Sequence, residues 1–427
     1  MKKSTVTREA SQPNFSQVPS ILVGIDWADK EHAYCVRTPD GKLHHGSFKH
    51  SPVAIKEWVE GWNKRHPELA IQVCIESSRG SLINALREYP YVEIYPVNPN
   101  ALANYRSAFA HGGGKNDPVD ARLILKFIEQ NREHLNPLQK DSPETVELYQ
   151  LTIARRQLVE ERVALANRIG DLWKAYFPAI LDLKPARTYS EFVIALVLKY
   201  PTLEEIQKAG RDKMRKFFYG VGSTQKIEQR LDVLMKAIPI STDPVLVRTS
   251  SRQCQAIASQ ISVLNRVVKE YDTEIKRLVQ QHKDYSIVSN LPGTSYNTRA
   301  RLIASLGDDR SRYENAESLQ AASGIAPITT QSGKSRYVSA RWGCTKFMKQ
   351  TFHEYAGLSL MKCAWAKRYY EQMIAKGKSK QMARRALAYK WIRIIYRCWQ
   401  SHQAYDESHY MERLKKTGSK LAVQSVK

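Results

Sequence analysis

The stretch Ile21-Leu22-Val23-Gly24-Ile25-Asp26-Trp27 decides the fold. It is a short apolar run that ends on a carboxylate. A second run of the same kind follows, Ile71-Gln72-Val73-Cys74-Ile75-Glu76. Four to eight apolar residues read as buried strands. An acid at the end of a buried strand is costly to desolvate unless a cation sits beside it. Two more acids lie in Lys115-Asn116-Asp117-Pro118-Val119-Asp120-Ala121. They are three apart at a helix start, so they share a face. Carboxylate oxygens are hard ligands, suited to Mg²⁺ or Mn²⁺. Asp26, Glu76, Asp117 and Asp120 are therefore candidate ligands for two metal ions, as in phosphodiester cleavage. Asp117-Pro118-Val119-Asp120 is also a good helix start, with Asp117 as N-cap and Pro118 at the first position.

Working outward, strands are predicted over Ile21–Asp26, His32–Arg37 and Leu43–Phe48, with Asp40-Gly41 turning the last two. Helical spacing follows over Pro52–Arg65, then strand Ile71–Glu76, a helix over Leu82–Glu88 and strand Val92–Val97. Helices are expected at 101–109 and from Pro118 to about Gln130, across the glycine loop Gly112-Gly113-Gly114. The order β-β-β-α-β-α-β-α is that of ribonuclease-H-like domains, a mixed sheet with helices on both faces. Residues 144–175 and 225–282 are long helical stretches, the second interrupted near Pro239 and Pro244. Ile261, Leu264, Val268, Tyr271, Ile275 and Leu278 recur at three- and four-residue spacing. The two stretches read as an antiparallel coiled coil or as two ordinary core helices. A mixed helical insertion is expected at 176–224. The fold class is thus α/β plus α: a disordered arm at 1–18, an acid-bearing domain at 19–140, coiled-coil helices at 141–283, a mainly helical domain at 284–400 and a basic tail at 401–427.

Charge is unevenly distributed. The chain has a net charge of +24 over 427 residues. Residues 21–140 carry 15 basic against 14 acidic residues, whereas residues 331–427 carry 21 against 5. A near-neutral acid-bearing domain joined to a basic one suggests metal chemistry on a polyanion. Lys334, Arg336, Arg341, Lys346, Lys349, Arg384 and Arg385 are candidate nucleic-acid contacts. Trp342, Tyr355, Trp365, Tyr369, Tyr370, Tyr389, Trp391 and Tyr396 are interleaved with these cations, about half of them expected to stack on bases and half to be core. Gln331-Ser332-Gly333-Lys334 reads as an exposed basic loop, in which Ser332 is either a nucleophile beside Lys334 and Arg336 or a turn serine contacting phosphate. Leu291-Pro292-Gly293-Thr294-Ser295 reads as a glycine turn between helices that can hold a phosphate. The six cysteines form no C-x-x-C pair, which points to a reducing compartment without a zinc site. No run of 18 apolar residues occurs, so no membrane helix is expected, and the first 18 residues lack an apolar signal core.

These residues resemble the insertion sequence 110 family, the DEDD transposases described as bridge-RNA-guided recombinases. The N-terminal marks are Val23-Gly24-Ile25-Asp26, Cys74-Ile75-Glu76, Val97-Asn98-Pro99 and Lys115-Asn116-Asp117-Pro118-Val119-Asp120-Ala121. The C-terminal marks are Leu291-Pro292-Gly293, Ala322-Ser323-Gly324-Ile325-Ala326-Pro327, Gln331-Ser332-Gly333-Lys334 and Tyr369-Tyr370 leading to Lys376-Gly377-Lys378. The resemblance implies a RuvC-type N-terminal domain whose four metal-binding acids are Asp26, Glu76, Asp117 and Asp120. It implies that Ser332 attacks DNA and forms a phosphoserine link. It further implies a homo-oligomer, dimer or tetramer, in which the acids of one subunit work with the serine of another. Double-stranded DNA and a guide RNA are the implied partners, and the bacterial or archaeal cytoplasm, at the nucleoid, is the implied location. The competing expectation is a RuvC-type hydrolytic nuclease or junction resolvase that uses no covalent serine.

Overall fold

A computed structural model describes residues 19–76, 80–109, 117–138, 141–183, 187–333, 335–341, 343–419 and 421, apart from the side chains of residues 100, 108, 109, 117 and 118. The chain divides into two compact units between residues 140 and 141.

The first unit runs β1 (Ser20–Asp26), β2 (Glu31–Arg37), β3 (Leu43–Lys49), α1 (Pro52–Arg65), β4 (Ala70–Ile75), α2 (Ser81–Leu86), β5 (Val92–Pro96), α3 (Pro99–Phe109) and α4 (Asp117–Asn131). The sheet order is β3-β2-β1-β4-β5. β1, β2 and β3 pair antiparallel, and β1–β4 and β4–β5 pair parallel. Gly41, at φ +82°, turns the β2–β3 hairpin as Asp40-Gly41 predicts. Ser51 caps α1 by accepting from the Ala54 N–H at 3.3 Å, with Pro52 at the first position. α1 buries Ile55, Trp58, Val59 and Trp62 against the sheet, each contributing about 2 kcal/mol. Together with α2 it covers Ile21, Val23, Ile25, Ile71, Val73 and Ile75 on one face. α4 covers the other face, packing Ala121, Ile124, Leu125 and Ile128 on Cys35 and Cys74.

The second unit is mainly helical. It comprises α5 (Pro143–Tyr176), α6 (Ala179–Asp182), α7 (Glu191–Lys199), α8 (Leu203–Gly220), α9 (Ile227–Lys236), α10 (Pro244–Gln281), α11 (Tyr285–Ser289), α12 (Tyr296–Leu306), α13 (Ala316–Ala322), β6 (Ile328–Ser332), β7 (Ser335–Ser339), α14 (Lys346–Ser359), α15 (Ala364–Ala375), α16 (Lys380–Ser401) and α17 (Glu407–Lys416). α5 and α10 pair antiparallel. Thr145 meets His282, Arg155 meets Asp272 and Arg162 meets Asn265, so ten and then seven steps forward on α5 match ten and seven steps back on α10. Ile261, Val268 and Ile275 are buried at seven-residue spacing.

Two cores sit at opposite ends of this pair. At one end α6–α9 pack on Trp173, Tyr176, Cys254, Ile257 and Ile261. α9 stays with this core and does not run on into α10, which starts afresh at Pro244 under an Asp243 cap. At the other end α11–α17 pack on Leu148, Ile275 and Val279 around Trp365, Trp391 and Trp399. Residues 402–419 fold back onto this core. Tyr405 is buried and its hydroxyl accepts from Trp365 Nε1 at 2.9 Å. Gly293 fits the turn before α12 because a Cβ there would lie 2.5 Å from the Leu358 carbonyl oxygen. Close packing on α14 therefore accounts for this glycine. Among the described residues, no helix is long and apolar enough to cross a membrane.

Candidate active site

Gly24 and Cys74 are register partners in the parallel pair β1–β4. Two residues on, and so on the same face, stand Asp26 and Glu76. Both are half-buried and lie one step beyond the last paired residues, Ile25 and Ile75. That face belongs to α4. A Cβ on Gly24 would meet the Ala121 carbonyl oxygen at 2.3 Å and the Leu125 nitrogen at 2.4 Å. The missing side chain lets the helix lie directly on the strand, and the residue before Ala121 is Asp120. The sequence thus brings Asp26, Glu76 and Asp120 to one face at the carboxyl edge of the sheet. Asp117 opens α4 one turn earlier. Its side chain, and with it the capping role read from the sequence, lies outside the described residues.

Asp120 is buried, its side chain 7% exposed, and it pairs with Arg106 of α3 at 2.8 Å. Arg106 carries no periodic signal and escaped the sequence reading. Its Nε is buried without a hydrogen-bond partner among the described residues. Burial pushes the Cys35 thiol up to about 11 and the Cys74 thiol up to about 12, so both are neutral at pH 7 in the metal-free protein, and thiols are soft donors. The donor set is therefore carboxylate oxygen, which fits a hard divalent cation. Among the described residues, no three His, Cys, Asp or Glu side chains lie close enough to hold an ion. For the four acids to converge on an ion as the sequence leads one to expect, Asp117 would have to join and Asp120 would have to turn from Arg106.

Ser332 ends β6 in a two-stranded hairpin and pairs with Ser335 of β7. The sequence reads this stretch as a loop; it is a hairpin in which two residues intervene between the paired serines. Gly333 has φ +55°, as the first central position of a primed turn requires. Ser332 is exposed, as are Gln331 and Arg336, while Lys334 lies outside the described residues. Tyr337 on β7 is 71% exposed, an aromatic the sequence reading passed over. Lys346 and Arg384 are exposed, and Arg341, Lys349 and Arg385 are half-buried. Lys349 Nζ donates to the Arg341 carbonyl oxygen at 3.1 Å, so it also braces that segment. The interleaved aromatics divide by burial. Tyr355, Trp365 and Trp391 are fully buried, and Tyr369, Tyr370, Tyr389 and Tyr396 are partly buried. Trp342 is outside the described residues.

Comparison with known proteins gives this arrangement a lineage. Residues 23–178 match a family model described as Transposase, the DEDD domain of IS110 elements. Residues 285–371 match the model Transposase IS116/IS110/IS902 family. The chain is 26% identical over 404 residues to the mini-circle putative transposase for IS117 of Streptomyces coelicolor, covering 91% of this chain and 96% of that protein. It is 27% identical to the insertion element IS116 uncharacterized 44.8 kDa protein of Streptomyces clavuligerus, over 74% of this chain and 78% of that protein. The DEDD domain name implies a divalent metal ion. With both of its ends matched in order, the chain belongs to the insertion sequence 110 family of transposases.

Proposed function

We propose that this transposase cuts and rejoins DNA with two groups of residues. Asp26, Glu76, Asp117 and Asp120 hold Mg²⁺ or Mn²⁺ on a ribonuclease-H-like, RuvC-type sheet, and Ser332 is the nucleophile. The observation that carries this reading is the in-register placement of Asp26 and Glu76 beside the glycine on which α4 rests. The strand order with antiparallel β1–β3 supports the fold assignment. A bound divalent ion would supply charge neutralisation at the cut phosphate.

The Ser332 Oγ–P bond forms as one P–O bond of the strand breaks. The released strand oxygen takes up the proton that the hydroxyl gives away, and rejoining reverses the exchange. Arg336, the residue after Ser335 and the register partner of Gln331, supplies positive charge on the same hairpin. Arg341, Lys346, Lys349, Arg384 and Arg385, with Lys334, contact phosphates. A guide RNA selects sites, and the active form is a homo-oligomer in which the mid-length of the α5–α10 pair is a contact surface. α5 has no fully buried residue between Thr152 and Ala166, which supports that role.

The test is to trap a covalent protein–DNA adduct in the presence of Mg²⁺ and map it by mass spectrometry. Ser332→Ala is expected to remove the adduct and lower recombination at least about a thousandfold. Asp26→Asn is expected to abolish strand cutting. Cut DNA with free ends and an unmodified Ser332 would establish the hydrolytic nuclease instead. Structured RNA co-purifying with the protein tests the guide, and its absence would refute that part alone.

A further inference from the structure

On the face of the sheet opposite α4, a chain of hydrogen bonds leads from the interior to the surface. His32, at the start of β2, is fully buried. Its Nε2 lies 2.8 Å from Nδ1 of half-buried His50, and His50 Nε2 lies 2.8 Å from Oγ of exposed Ser81. The backbone N–H of Ala28 donates to His32 Nδ1 at 3.2 Å. That bond sets the direction of all the others. A neutral imidazole has one donor and one acceptor nitrogen. With Nδ1 accepting from Ala28, His32 carries its proton on Nε2 and donates to His50 Nδ1. His50 then carries its proton on Nε2 and donates to Ser81 Oγ. Burial and the neighbouring His50 hold the His32 pKa down at about 4, so His32 is neutral at physiological pH. The opposite polarity would need an imidazolate at His32. His50 is therefore not a base for Ser81, and Ser81 is not a nucleophile. One of its two lone pairs is engaged and its own proton is left to donate outward, along a chain polarised in that direction.

The chain surfaces at the edge that carries the acids. Asp26 pairs with Ala33, the residue after His32, and Ser81 follows Glu76 by five positions. The turn between β1 and β2 exposes Lys30 and Trp27, the latter 47% exposed. The Lys30 carbonyl oxygen accepts from the His50 backbone N–H at 2.8 Å, which fixes the Lys30 main chain next to His50. A directed hydroxyl donor, a cation and an aromatic ring at one edge match the groups that hold a nucleic-acid strand.

We propose that Ser81, oriented by His50 and His32, donates to a non-bridging phosphate oxygen of a strand lying at the acid edge, with Lys30 supplying charge. This rests on the reading that the first unit handles a nucleic-acid strand. The ligand chemistry is a phosphodiester, from DNA or from RNA.

The test uses the full chain in EDTA. The probes are single-stranded DNA oligonucleotides, each with one neutral methylphosphonate at a different linkage, and a matching RNA set. Wild type is expected to lose about tenfold in affinity at one or two linkages, in the set whose strand occupies the edge. Ser81→Ala should bind the unmodified strand about tenfold more weakly and show no further loss at those linkages. Ser81→Thr should behave as wild type, and His50→Leu should fall between. The basic second unit binds both sets, which is why single linkages are read. Ser81 is exposed, so an unchanged melting temperature certifies the variant. If Ser81→Ala keeps the wild-type affinity and linkage map, the proposal fails while the transposase reading stands. If wild type shows no linkage-specific loss in either set, the proposal fails together with the reading that the first unit holds a strand at this edge. Nitrogen-15 spectra of the histidines give an independent check: protonation of His50 at Nδ1 would overturn the polarity.

Discussion

Gly24 and Arg106 show how differently two residues at one site announce themselves. Gly24 stands inside an apolar run, where a glycine weakens a strand unless something lies close above it. What lies there is backbone, the Ala121 carbonyl at 2.3 Å from any Cβ, which cannot rotate away. Gly24→Ala must lift α4, with Asp120, off β1. A loss of about 1–3 kcal/mol is expected in urea unfolding, together with loss of strand cutting. Wild-type stability and activity in this variant would show that α4 has room to move. Asp26 and Glu76 are legible for the same reason as Gly24, because each interrupts a local pattern. Arg106 interrupts nothing. Its meaning lies in the pair with Asp120, which depends on how α3 and α4 meet. Arg106→Gln leaves a buried carboxylate without its cation, so the variant should melt lower than wild type in EDTA. Mg²⁺ should then raise its melting temperature more than it raises that of wild type, because the ion no longer competes with a guanidinium. Equal Mg²⁺ shifts in the two proteins would mean that Asp120 holds no metal.

Elements were legible where one face is buried. β1 and β4 of the first sheet run apolar, and α10 repeats its buried residues at seven-residue spacing. Gln331-Ser332-Gly333-Lys334 reads as a loop and the strands around it give no signal, because every residue of β6 is exposed and β7 begins to be covered only at Ser339. Without an inward face there is no period to detect. The link between α5, α12 and α14 was equally silent. Arg301 is buried and donates to Glu354, whose other oxygen accepts from Arg156 of α5 at 2.7 Å. Burial works against the Glu354 carboxylate, but Arg301 and Arg156 outweigh it and hold its pKa below the ordinary value. A depressed carboxylate pKa contributes stability that is present above the unfolded-state value and is lost as pH falls through the folded one. Thermal unfolding should therefore show a decline below about pH 4.3 that Glu354→Gln lacks. At pH 7 the same substitution is expected to cost about 2 kcal/mol. That is below the roughly 3–5 kcal/mol of a fully buried pair, because the Glu354 side chain is 40% exposed. A variant with wild-type stability at pH 7 would make the triad decorative.

At the scale of the whole molecule, charge and architecture divide the work. The second unit is a long antiparallel helix pair with a core at each end, and the last 97 residues of the chain hold 21 basic against 5 acidic side chains. Burial of Tyr355, Trp365 and Trp391 takes three of the interleaved aromatics out of stacking, so the affinity of this region for nucleic acid is expected to come mainly from phosphate contacts. Such binding is driven by counterion release, and the logarithm of the association constant falls with the logarithm of salt by about 0.9 for each phosphate neutralised. With six to ten contacts, affinity for double-stranded DNA is expected to drop by about 10³–10⁵ between 50 and 200 mM salt. Arg384 and Arg385 lie in the second turn of α16, which begins at Lys380. Replacing each with Gln should flatten the slope by about 0.9, and replacing both by about 1.8, with melting temperature unchanged. Anisotropy titrations at four salt concentrations give these slopes directly. A wild-type slope near zero would mean that the positive charge is spent on solvation and that DNA is held by other means. A steep wild-type slope left intact in the double variant would instead move the contact surface away from the start of α16, toward the exposed hairpin that carries Arg336 and Tyr337.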